Sequence, residues 1–388
     1  MRDPDSRSIG DALNSMLLMN VCCAVLTMLM SSCSASLPVQ REAQQAAKGM
    51  SAVPYSIVCI IHGDGDYLYH DTIGNEYVAD EEVLAGVKRI AERNPGAEVF
   101  IFHQRPRSHF LFFFPLHDGE FYYYRNGRLV AHELYWRDQE QSHLDPEAEL
   151  YRRFRADNQR EQVSVCLYCG HEIPEFAGAG YDESYSDRTF TVQDLADGLQ
   201  HFAHDSAKFD LMVLSTCFGG TPYTIGMLGS CARYIIASPE NLHLSYFDLH
   251  ALERLDVGLR DGDVHAFAKR FAHQAFDRLT GDVQTAVSVA VYDVDRIQEF
   301  LHSVHSVYDH TLTTMEGETP ASRAVIGHCD CADLPAYVLP TMTEAVDVLY
   351  RPARFGRSKH KMNHSGWECW SERVPQAATS QSNEQVLK

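Results

Sequence analysis

The chain holds 388 residues, and 33 Lys and Arg set against 53 Asp and Glu leave a formal charge of −20. Such a surface repels phosphate backbones, which argues against nucleic acid as a partner. With 45% hydrophobic, 11% aromatic and 22% charged residues, the sequence supports a large buried core and excludes a disordered chain.

From Met16 to Met30 the chain reads MLLMNVCCAVLTMLM, fifteen apolar or small residues. That is shorter than the roughly 20 needed to span a bilayer and suits the core of a signal peptide. Ser31, Ser32 and Cys33 follow, and this end resembles a bacterial lipobox, which implies cleavage after residue 32 and lipidation of Cys33. Upstream, Arg2 and Arg7 are outweighed by Asp3, Asp5 and Asp11, unlike the positive start of an export signal. Plain secretion and a packed apolar helix are the alternatives. The expected organisation is a signal peptide over 1–32, a polar tether over 33–51, a catalytic α/β domain over 52–258, an α/β continuation over 259–373 and a disordered tail over 374–388.

Tyr55–Ile61 (YSIVCII) reads as a buried strand, Asp80–Arg93 repeats apolar residues at helical spacing, and Glu98–His103 (EVFIFH) is a second strand. HFLFFFPL at 109–116, EFYYYRN at 120–126 and RLVAHELYW at 128–136 are separated by His-Asp-Gly and Asn-Gly, the mark of antiparallel hairpins inserted at a sheet edge. Both aromatic runs, FLFFFP and FYYY, are expected to pack in the core and hairpins. After a polar helix near 146–158, Gln162–Cys169 is a third core strand. Thr191 and Asp194 signal a helix start, Phe209–Leu214 is a fourth strand, Thr221-Pro222 opens another helix, and Arg233–Ala237 is a fifth strand. Beyond 260 the pattern predicts a helix, a strand at Thr285–Val291, a helix from about 294 and a helix near 343–351. The fold expected is a mostly parallel sheet with helices on both faces.

In such a sheet, functional groups gather outside the carboxyl ends of the strands. The third strand runs into Gly170-His171-Glu172, and the fourth runs through Ser215-Thr216 into Cys217-Phe218-Gly219-Gly220. A thiol needs a neighbouring base to become a nucleophile at neutral pH, and an imidazole supplies one. His171 and Cys217 are therefore the candidate dyad, with the Cys217 amide a candidate for an oxyanion hole.

That order of strand-His then strand-Cys resembles the caspase-like cysteine peptidases, and among them the clostripain family. The resemblance rests on Cys217 standing 46 residues after His171, on KFDLMVLSTC, and on RYIIASPENLHLSYFD in the strand and loop that follow. It implies a cysteine endopeptidase acting on proteins or peptides. With the lipobox, it implies a bacterial cell envelope or surface site through a lipid anchor, secretion being the alternative. Where the family has Gly after the His, this chain has Glu172 with Gly170 before it, so Gly170, Glu172 and Gly219 are the candidate oxyanion-side groups. Where the family has Asp-Ala-Cys, this chain has Ser215-Thr216-Cys217, so Ser215, Glu240 and Asp248 are the candidates for a substrate pocket. The resemblance also implies self-cleavage between the two strands, with Arg188 the candidate point, and leaves calcium open as a cofactor; no other cofactor is expected. A non-catalytic surface lipoprotein that keeps the fold to bind protein or glycan is the rival reading.

His62-Gly63 competes with His171 as the base because it too follows an apolar strand. Cys166-x-x-Cys169 reads as core, since i and i+3 on a strand face opposite sides. His328-Cys329-Asp330-Cys331 with His360, His364 and Cys369 matches no common zinc spacing, so no metal is expected there.

Overall fold

The computed structural model describes residues 53–63, 68–70, 74–111, 113–137, 144–155, 162–175, 182, 184–185, 188–202, 208–242, 247–259, 263–297, 345–356 and 359. The segments expected as signal, lipobox and tether, with Cys33, the His328 to Cys331 cluster, the later His and Cys residues and the expected tail lie outside the described residues.

Thirteen strands run in chain order as β1 (Tyr55–His62), β2 (Leu68–His70), β3 (Glu76–Val78), β4 (Ala97–Gln104), β5 (His109–Phe110), β6 (Phe114–Pro115), β7 (Gly119–Arg125), β8 (Arg128–Tyr135), β9 (Val163–Cys169), β10 (Phe209–Ser215), β11 (Ala232–Ala237), β12 (Val287–Asp293) and β13 (Val346–Arg351). Helices are α1 (Ala79–Arg93), α2 (Asp145–Phe154), α3 (Val192–Gln200), α4 (Pro222–Leu228), α5 (Leu255–Gly258) and α6 (Val264–Asp282), with a 3-10 turn at His250–Arg254.

Nine of the strands form one sheet in the order β13-β12-β11-β10-β9-β1-β4-β7-β8. The strands from β11 to β4 are parallel, and an antiparallel pair closes each edge. The expected α/β class with an antiparallel insertion is what forms. The insertion is β7 and β8, which continue the sheet beside β4.

Parallel strands covered on both faces carry near-continuous apolar runs, and β1 and β4 do so because alternate residues enter two different cores. On one face Ile57, Cys59, Ile61, Val99, Ile101, Val165, Leu167, Leu211 and Val213 pack with α1 and α6. On the other, Phe100 meets Tyr151 of α2 at 4.7 Å between ring centroids, and Phe102 meets Phe202, just past α3, at 5.9 Å. Phe121 and Phe154 join them at 5.4 Å. The FYYY run is core, as expected, with Phe121 and Tyr123 fully buried. FLFFFP is not: Phe110, Leu111, Phe113 and Phe114 stand exposed on the β5–β6 hairpin, away from the main sheet.

Local signals set the helix starts. Thr191 and Asp194 form a reciprocal capping box on α3, and Thr221 caps α4 with Pro222 in its first turn. One expected helix, near 343–351, is corrected: Val346–Arg351 is a strand paired antiparallel with β12. Residues 294–296 form a turn, and the rest of the helix expected from about 294 lies outside the described residues. The apolar and β-branched residues of VDVLYR complete the sheet edge, a pairing with a segment more than fifty residues earlier that local periodicity does not reveal. The continuation after 259 is thus joined to the sheet of the preceding region through β12 and β13.

Candidate active site

Strands β9 and β10 are parallel neighbours in the register Ser215↔Cys169, so the residues that follow each emerge at the same edge of the sheet. His171 and Cys217 both do so, and both are half-buried. Of the free cysteines among the described residues, Cys59, Cys166, Cys169 and Cys231 are buried, and only Cys217 is not. Burial pushes the Cys59, Cys166 and Cys231 thiols up and leaves them poor nucleophiles. Cys166 and Cys169 are core residues within β9, as their spacing implies.

The turn that carries Cys217 is held from three sides. Phe218 takes a left-handed φ of 51°, and its amide donates to Glu240 O at 3.1 Å. The Gly220 amide donates to Ser238 O at 2.8 Å, and Tyr292 Oη of β12 donates to Gly220 O at 2.8 Å. Gly219 is needed because a Cβ there would lie 2.6 Å from Thr216 Oγ1 and 2.8 Å from a Leu214 methyl. The Cys217 thiol donates to Asn241 Oδ1 at 3.2 Å. Neither Asn241 nor Ser238 stood out in the sequence, although the strand-end rule that selects Cys217 applies equally to the loop after β11.

The His171 loop is tied to the same turn. Glu175 accepts from Thr221 Oγ1 in a short hydrogen bond and from Thr224 Oγ1 at 3.2 Å. The carboxylate four residues after the candidate base therefore clamps onto the helix that follows the candidate nucleophile.

Several expected roles are corrected. The Gly170 amide donates to Ser215 O at 3.4 Å, which uses it in the sheet and removes it from oxyanion binding. A Cβ there would make a tight contact, 3.0 Å from His62 Cβ. The Ser215 side chain is fully buried and accepts from the Phe247 amide at 2.9 Å, so it braces the loop after β11 and does not line a pocket. Asp248 is occupied by Gln274 at 3.2 Å and by Arg278 at 3.6 Å, both on α6. Arg188 is 8% exposed, lies 4.2 Å over the Tyr185 ring and pairs with Asp182 at 3.5 Å, so a self-cleavage there would require this segment to open first. Glu172 and Gly219 remain at the edge, half-buried and buried, and Glu240 is buried beside the Cys217 turn that its carbonyl supports.

His62 meets an acidic partner. Its Nε2 is 3.4 Å from Asp182, whose carboxylate also accepts from Arg137 Nη2 at 3.0 Å and from Ser184 Oγ at 2.7 Å. Arg137 pairs in turn with buried Asp118 at 3.3 Å. Burial alone would raise the Asp182 carboxyl, but the His62 contact and the Arg137 charge hold it well below the usual carboxylate range. This knot fixes the loop between His171 and α3 onto the ends of β1, β7 and β8.

A second buried pair, His103 Nε2 to Asp80 at 2.8 Å, lies at the end of β4 with Glu120 at 3.8 Å on the other ring nitrogen. Burial would lower the His103 pKa, and its bonds to Asp80 and Glu120 raise it instead. Among the described residues, Asp80, Glu81 and His103 bring one ligand atom each within 4.8 Å of one another. An imidazole with two carboxylates does not fit calcium, which takes six to eight oxygens. No step of the chemistry below runs through a metal.

The model of the Clostripain family matches residues 168–351, just under half of the chain. No curated protein matches. Among solved structures, an inactive zymogen C11 protease from Parabacteroides distasonis is 15% identical with a TM-score of 0.45, the alignment covering 65% of each chain. A secreted C11 cysteine protease from Bacteroides thetaiotaomicron, solved with an irreversible peptide inhibitor, is 12% identical with a TM-score of 0.44, covering 67% of this chain and 71% of that one. This chain thus spans slightly less than two thirds of the first of them. Residues 168–351, the stretch that holds both His171 and Cys217, are thus similar in sequence to the Clostripain family.

Proposed function

We propose that the protein is a cysteine endopeptidase in which His171 and Cys217 form the catalytic dyad. The observation that carries this reading is the emergence of the two residues from neighbouring parallel strands at one edge, with the Glu175 clamp between their loops. His171 takes the Cys217 proton, and the thiolate attacks the scissile carbonyl carbon to form a tetrahedral adduct. The C–N bond breaks as the imidazolium gives its proton to the leaving amine. Water, deprotonated by His171, then displaces the thiolate from the thioester and restores the free enzyme. Asn241 accepts from the resting thiol and fixes its direction. Hydrolysis of a fluorogenic peptide library, with loss of turnover in Cys217→Ala, tests the assignment.

Substrates are proteins or peptides, and the pocket for the residue before the scissile bond borders Glu240. A guanidinium leaving water needs a carboxylate partner. Glu240 sits next to the turn that carries Cys217, whereas Asp248 lies against α6. Replacing Glu240 with Gln lowers the preference for Arg or Lys over neutral residues at that position by about tenfold to a hundredfold. Asp248→Asn leaves the preference unchanged. A profile of cleaved bonds that is the same for Glu240→Gln as for the parent chain rejects this pocket.

The apolar run at 16–30 and Cys33 support a cell-envelope location with a lipid anchor. No helix among the described residues is long and apolar enough to cross a membrane.

A further inference from the structure

The β5–β6 hairpin presents side chains that a water-facing tip does not favour. Phe113 is 83% exposed, Phe114 63%, Leu111 61% and Phe110 57%, while the aromatic residues of neighbouring β7 are buried. The hairpin is built, not frayed. His109 pairs with Pro115 and Phe110 with Phe114, and the Leu116 amide donates to Ser108 O at 3.0 Å. Leu111 holds a left-handed φ of 48°, a conformation usually given to Gly or Asn. Strained backbone and exposed aromatics together cost stability and solubility, which points to use of the tip.

Charge separates the tip from the rest of the surface. Between Arg105 and His117 the sequence RPRSHFLFFFPLH has two Arg, two His and no Asp or Glu, in a chain whose net charge is −20. Arg105 and Arg107 are exposed behind the apolar end. His117, next to the hairpin, packs at a tilt against exposed Trp136 at 4.5 Å between ring centroids, which adds an amphipathic aromatic. The arrangement is an exposed apolar tip with cations and an indole nearby in the chain. It matches an apolar layer lying beneath negative headgroups.

We propose that the 109–116 hairpin inserts into the interfacial layer of an anionic lipid bilayer. The hairpin leaves the carboxyl end of β4, at the edge from which His171 and Cys217 emerge, so insertion brings that edge toward the membrane surface.

The test places a reporter at the tip of the full-length chain. Phe113→Trp is mixed with vesicles of equal parts phosphatidylglycerol and phosphatidylcholine carrying brominated acyl chains. Its emission is read as the difference from the parent chain, in which Trp136, Trp367 and Trp370 are unchanged. The expected result is a blue shift with about half the difference emission quenched, and much weaker quenching on pure phosphatidylcholine and at high salt. Unshifted, unquenched emission on anionic vesicles overturns the proposal, even if the chain binds them through residues 16–30, because the reporter is local. Equal quenching on neutral vesicles overturns the charge match. A blue shift that appears without vesicles, on self-association, assigns the tip to a second copy and overturns the bilayer.

Discussion

Replacing Cys217 with Ala lowers kcat against a cleavable peptide by about 10⁴-fold or more, because the acyl-enzyme route is lost and only binding and oxyanion contacts remain. His171→Ala has a similar effect, since an undirected thiol at neutral pH is mostly protonated. The double variant is no worse than either single one, because the two residues act as a unit and their losses do not add. Stability separates chemistry from structure. Cys217 is half-buried and its thiol donates to Asn241, so the alanine variant stays within about 1 kcal/mol of the parent. Unchanged turnover in Cys217→Ala, with the melting transition intact, rejects the nucleophile.

The largest expected stability change is at Asp182. Its carboxylate meets His62, Arg137, Arg188 and Ser184 out of contact with water, and Asp182→Ala leaves His62 and part of two buried guanidinium groups without their acceptor. Breaking one side of a buried ion pair costs about 3–5 kcal/mol. Chemical denaturation measures it, and protease nicking within 172–190 reports the local release. A change below about 1 kcal/mol contradicts the knot as drawn, since that is the scale of a surface pair. The sign of the pH dependence follows from the depressed Asp182 pKa. The folded state binds its proton less readily than the unfolded chain. The stabilisation is therefore present in full above the unfolded value near 4 and is lost as the pH falls below it, a loss absent from Asp182→Ala.

Elements whose signals are local were legible. The apolar runs of β1, β4, β9 and β10 are strands because both faces are covered, and Thr191 and Thr221 cap helices through bonds to residues three positions on. The placing of His171 and Cys217 at one edge followed from strand order alone. Long-range partnerships were not legible. VDVLYR reads as a helix until β12 is beside it, and FLFFFP reads as core until β7 and β8 are found to have filled the sheet edge without it. Ser215, Asp248 and Arg188 are polar residues near the site in sequence. Their side chains are committed to the Phe247 amide, to α6 and to the Asp182 knot, commitments that only three dimensions supply. Asn241 and Glu175 escaped notice for the converse reason, since each acts through a contact with an element distant in sequence.

The central claim, that Cys217 is a thiol activated by His171, is tested most directly by a peptidyl electrophile read by intact mass and peptide mapping. The account predicts one adduct per chain, on Cys217, absent from Cys217→Ala and strongly slowed in His171→Ala. An adduct on any other cysteine at an equal rate, or none on Cys217 in the folded parent chain, contradicts it.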